Sequence, residues 1–196
     1  MSKADPASSK REKNKATRWV ITIFVVTIFI SGVISLASEE LMSGSHIAVA
    51  FLILFAIVLL GILFDIVGVA VTSADEKPFH SMAARKVPGA QEAIKLLRNA
   101  DKVGSICNDV IGDICGVVSG SASATIAAKV LSSGLVSMTW GQIVTLGMSA
   151  LVAGLTVGGK AMGKNVAINS CTSIVQMVGA LIYRIQHIPD LFRKKK

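Results

Sequence analysis

Polar and apolar positions fall along this chain in long blocks, with no two-residue alternation of the kind a half-buried strand requires. Residues 1–18 are polar and basic, and residues 19–38 (WVITIFVVTIFISGVISLAS) then run for twenty positions without a charge. At 1.5 Å per residue, that run matches the roughly 30 Å hydrocarbon core of a bilayer. A second apolar block, residues 47–72, is interrupted only by Asp65 near its far end. Residues 73–102 are mostly polar. Pro88-Gly89 divides them into two short helical stretches, and the second carries Ala93, Leu96, Leu97 and Ala100 at helical spacing. Residues 104–130 and 138–159 are weaker apolar blocks rich in Gly, Ser, Ala and Thr, which suits helices that pack closely on protein. Gly116-x-x-x-Gly120 and Gly154-x-x-x-Gly158 would permit that approach. After Asn165, the residues Ile174, Met177, Val178, Leu181, Ile185, Ile188 and Phe192 form one stripe, with Arg184 and Arg193-Lys194-Lys195-Lys196 beside it. That is the pattern of an amphipathic helix lying at the membrane surface.

The blocks predict an all-α membrane protein with four transmembrane helices, a cytosolic-side helical hairpin and a C-terminal amphipathic juxtamembrane helix. Residues 1–18 have no apolar periodicity and are expected to be a disordered basic cytosolic tail. The first apolar block reads as a retained helix or as a signal sequence cut after Ser35-Leu36-Ala37, although it exceeds the usual length of a signal core.

Composition agrees with a membrane location. The 196 residues are 52% hydrophobic and 16% charged, with a mean hydropathy of +0.64, which is too oily for a soluble domain. The net charge of +8 is therefore expected beside a membrane rather than on nucleic acid. Lys and Arg are retained in cytosolic loops, and their distribution tests the layout independently of hydropathy. Six fall in the tail, six in residues 73–102 and seven after residue 159, which leaves Lys129 alone outside. Both termini are thus expected in the cytosol. Cys107, Cys115 and Cys171 form no CxxC pair, so neither zinc nor a disulfide framework is indicated.

A charged side chain deep in a bilayer costs several kcal/mol, so Asp65, Asp109 and Asp113 are the most informative residues. Counted from the cytosolic ends of their helices, they lie about 12, 8 and 14 Å deep, in one layer. Asp109 and Asp113 are four apart, Gly112, Gly116, Gly120 and Ser123 continue their face, and Asn108 borders it. No Lys or Arg is expected at matching depth, which leaves protons or a bound cation as the partner. Mg²⁺ takes six oxygens near about 2.1 Å, which Asp, Asn, Ser and freed backbone carbonyls can supply. The alternative is that protonated aspartates bond between helices. His46, His80 and His187 lie outside the spans, and no Ser-His, Cys-His or HExxH arrangement is present, so no enzyme is expected. The stretch Gly154 to Lys160 imitates a phosphate loop, but Ala161 replaces the hydroxyl residue, and no nucleotide is expected.

The run Leu63-Phe64-Asp65-Ile66-Val67-Gly68-Val69-Ala70-Val71-Thr72-Ser73 resembles the FFSxxExALLS end of the first span in the transmembrane domain of the CNNM/CorB/CorC magnesium transporters. Met82 to Asn99 is similar to the family's helical hairpin, and Cys107-Asn108-Asp109-Val110-Ile111-Gly112-Asp113 to its Gly-Asn-x-x-x-Asn motif. Either Asn108 matches the first Asn, or Asp109 and Asp113 match the two Asn positions. Gly159-Lys160-Ala161-Met162-Gly163-Lys164 resembles the family's Gly-Glu-x-x-Pro-Lys. The likeness covers roughly residues 47–192, with 19–38 as an extra N-terminal helix. It implies a homodimeric transporter of Mg²⁺ or a similar divalent cation in the bacterial inner membrane, with Asp65, Asn108, Asp109, Asp113 and Gly159 at the ion site. Asp65 stands where the family has Ser, Gly68 and Lys160 where it has Glu, and Gly163 where it has Pro, so the site is expected to be altered. The family's CBS and C-terminal cytosolic domains have no counterpart here, and regulation by ATP is not expected. The competing reading is a membrane adaptor or regulator that keeps the transporter-like fold without transporting.

Overall fold

The computed structural model describes residues 6–134 and 140–193, and the regular structure there is all helical. Among the described residues, four helices are long and apolar enough to cross a bilayer, so the chain is an all-α, multi-pass membrane protein. Helix α1 spans Pro6–Ser43 and α2 spans Ile47–Ser73. The expected disordered tail is thus helical from Pro6 onward; residues 1–5 lie outside the described residues. Proline suits a first helical turn, and Ala7, Lys10, Arg11, Glu12, Lys13 and Ala16 are good helix formers. They extend a helix that the apolar block has already nucleated.

Two short helices, α3 (Lys77–Ala84) and α4 (Ala90–Arg98), form the hairpin, with its turn at Pro88-Gly89. Gly89 adopts φ +83°, and a Cβ there would run into the backbone of Ala180. Glycine is required on both counts. Gln176 donates to the Pro88 carbonyl at 3.0 Å and fastens the same turn. Helix α5 (Ala100–Ser105), a π-helical segment (Ile106–Gly112) and α6 (Asp113–Ser132) run on as one 33-residue span. Helix α7 covers Gly141–Asn169, ten residues beyond the expected end of the fourth span at 159. Helix α8 covers Cys171–Arg193; Met177, Leu181 and Ile185 of its predicted stripe are exposed, whereas Val175 is fully buried.

Helix α2 is the central element and packs against α5, α6, α7 and α8. Its inward side places Ala50, Leu54 and Val58 in a cluster with Met42, Ala122, Ile126 and Val152. At its other end, Ala70 and Val71 join Phe79, Ala93, Ala167 and Val175, so the hairpin and α8 close the bundle there. Leu52, Phe55, Leu59, Leu60 and Leu63 face out, as lipid contact requires. At the end away from the hairpin, the Lys129 ammonium donates to the carbonyls of Met42 and of Ser45, the latter at 2.6 Å. The one basic residue expected outside thus serves the C-terminal end of α1, where the helix dipole favours a cation and the Met42 carbonyl also accepts from the Ser45 hydroxyl at 2.9 Å.

Candidate functional site

The third span departs from α-helical geometry over the stretch that carries Asn108 and Asp109. Ile106–Gly112 forms seven residues of π-helix, an arrangement that is rare and concentrated at functional positions. The wider turn leans on glycines of α2. A Cβ at Gly68 would collide with Asn108 Oδ1 and come to 3.1 Å from Cys107 Cβ, and one at Gly61 would lie 2.8 Å from Cys115 Cβ. The backbones therefore approach closely only because these positions are glycine. Asn108 Oδ1 is held at this contact, buried and without a hydrogen-bond partner in the chain. An unsatisfied buried acceptor costs about 1–3 kcal/mol.

One turn of α2 from Gly68, Asp65 meets a cation. Lys160 Nζ of α7 lies 3.9 Å from Asp65 Oδ1 and 3.5 Å from the Gly112 carbonyl oxygen that closes the π-helical segment. The side chains of Lys160 and Asp65 are only 25% and 17% exposed. A Cβ at Gly112 would stand 3.3 Å from the ammonium, so glycine keeps the space that the ammonium occupies. Three spans thus bring a carboxylate, an ammonium, a carbonyl and an unpaired amide oxygen to one region of the bundle.

This arrangement corrects the expectation that no Lys or Arg stands level with the aspartates. Lys160 was assigned beyond the fourth span because its charge ends the apolar run; the helix continues past it. Gly159, Gly163 and Ala167, spaced by four and turned inward, carried the signal for that continuation. The shared depth of the aspartates is partly kept, since Asp65 and Gly112 are level and Asp113 follows Gly112. The expected face is split: Asp109, Asp113 and Gly120 are exposed, whereas Gly112 and Ser123 are buried. Among the described residues, no three His, Cys, Asp or Glu side chains converge as metal ligands. Gly159 packs on Ile62 of α2. Gly116, Gly120, Gly154 and Gly158, expected to allow close packing, have nothing within 4 Å of a Cβ placed on them.

Neither a family model, nor a curated protein, nor a solved structure matches this chain.

Proposed function

We propose that the chain carries a divalent cation, Mg²⁺ first, across the bacterial inner membrane, along the region where α2, the π-helical segment and α7 meet. The observation that carries this reading is Asn108 Oδ1, a buried acceptor with no partner inside the chain, packed on Gly68, which is one turn of α2 from Asp65. Both are oxygen ligands of the kind Mg²⁺ takes, and the Gly112 carbonyl adds a third. The motif resemblance supports the same cargo. Purified protein in liposomes should show Mg²⁺ flux under an imposed Na⁺ or H⁺ gradient. Asp65→Asn, which keeps an oxygen and removes its charge, should lower the rate at least about tenfold, corresponding to about 1.4 kcal/mol. Equal flux in the wild type and Asp65→Asn would sink the site, and no flux in the wild type would sink the function.

The reading includes a homodimer with both termini in the cytosol. Its structural support is the outer surface of α6 and α7, where Gly120, Gly154 and Gly158 face open space and Asp109 and Asp113 are exposed on a span. Lipid gives such a surface neither close packing nor hydrogen bonds, and a second copy gives both. The detergent-corrected mass should equal two chains. Gly120→Leu should reduce it to one chain without loss of helix content, and a single-chain mass for the wild type at every concentration would refute the dimer.

The adaptor reading also has an observation in its favour: Lys160 already neutralises Asp65 without any external cation. A protein of that kind keeps its partner binding in Asp65→Asn and shows no flux in the wild type.

A further inference from the structure

Lys160 occupies the position a transported cation would take, and the details of how it is held carry an inference that rests on the transport reading. Its ammonium is 3.9 Å from the Asp65 carboxylate and 3.5 Å from the Gly112 carbonyl. Good charge-assisted hydrogen bonds are about 2.7–2.9 Å long, so neither oxygen grips the ammonium tightly. Asn108 Oδ1, which packs on Gly68 one turn of α2 from Asp65, makes no hydrogen bond to the ammonium or to anything else in the chain. The side chain is a flexible four-carbon stem with three rotatable donors, and a quarter of it is exposed. Gly112, with no Cβ, leaves open the space beside the ammonium that a side chain would fill at 3.3 Å.

We propose that Lys160 is a tethered counter-cation, which neutralises Asp65 in the empty state and is displaced when a divalent cation enters. Charge balance requires the displacement. With Lys160 in place the pair is neutral, and adding a doubly charged ion beside a retained ammonium would leave two net positive charges in a region of low dielectric. With Lys160 withdrawn, the incoming ion faces Asp65, the Gly112 carbonyl and Asn108 Oδ1 without a competitor. No covalent bond and no proton transfer is involved; the ammonium stays protonated and moves. The consequence is a concentration threshold, since the ion must outcompete a built-in ligand whose effective concentration is fixed by its tether.

Lysine labelling on the wild-type protein tests this directly. Reductive methylation in detergent, read by peptide mass, should modify Lys160 several-fold more with saturating MgCl₂ than with NaCl at equal ionic strength. Lys77, on the exposed hairpin, should be unchanged. Lys160→Met should lower the MgCl₂ concentration for half-maximal thermal stabilisation at least about tenfold. Asp65→Asn combined with Lys160→Met should abolish that stabilisation. Lys160 labelling that stays level or falls with MgCl₂ overturns the proposal, and so does an unchanged midpoint in a folded Lys160→Met. Mg²⁺ flux in the wild type alongside either result overturns the displacement alone. Absent flux with no MgCl₂ effect overturns the transport reading together with it.

Discussion

Gly163→Leu is expected to prevent recovery of the folded bundle. Gly159 and Gly163 of α7 receive Ile62 and Ile66 of α2, and this seam also sets where Lys160 meets Asp65. A Cβ at 163 would lie 2.7 Å from Ile66 Cγ1 and 2.9 Å from its Cδ1, so the isoleucine must already shift for the first carbon. A leucine brings three carbons more. Overpacking of this kind costs about 1–3 kcal/mol for single methylenes and more when the backbone must separate, so about 3 kcal/mol or more is expected here. The loss is a large fraction of a stability margin of about 5–15 kcal/mol. Size-exclusion chromatography in detergent should show no monodisperse peak for Gly163→Leu. Adding Ile66→Ala should restore it, because the isoleucine is the obstacle. Gly158→Leu, on the open side of the same helix, should fold normally as a single chain. A monodisperse Gly163→Leu would show that α2 and α7 do not cross at these glycines.

The second large effect concerns the pair itself. In buffer free of divalent cations, Lys160→Met leaves the Asp65 carboxylate without its partner at a position 17% exposed. Removing one member costs about 3–5 kcal/mol for a fully buried pair and about 0–1 kcal/mol for an exposed one, so this half-buried, loosely held pair should lose about 1–3 kcal/mol. Asp65→Asn added to Lys160→Met removes that charge as well, and the double variant should return to within about 1 kcal/mol of wild type. Thermal melts of the four proteins in one detergent measure the coupling. Additive losses would mean that the two side chains do not interact.

Hydropathy made the number and order of the spans legible, because twenty uncharged positions have few other uses. The Pro88-Gly89 turn was equally plain, since proline and a left-handed glycine restrict the backbone locally. What stayed hidden is rotational. A hydropathy run ends at Lys160, but the backbone hydrogen-bond ladder does not, and Ala161, Met162, Gly163 and Ala167 carry α7 to Asn169. Which glycines face a neighbour depends on how helices turn about their axes. The pairs 116/120 and 154/158 look like packing motifs, yet 159/163 forms the seam and 61/68 the approach to the third span. The π-helical segment shifts the register by part of a turn, which no count by fours detects. It helps to explain why Gly112 faces Asp65 while Asp109 and Asp113 are exposed on another side.

The Lys129 clamp has a consequence for the order in which the chain assembles. The carbonyls it satisfies belong to Met42 and Ser45, at the junction of the first two helices, yet the lysine itself is 87 positions after Met42. At ribosomal rates of 5–20 residues per second, that interval lasts roughly 4–17 s. Throughout it, the Met42 carbonyl at the end of the first helix is held only by the Ser45 N–H and hydroxyl, at 3.2 and 2.9 Å, without the charge that the lysine adds. The third span is thus a late, charged latch on a hairpin whose own serine has already closed its turn.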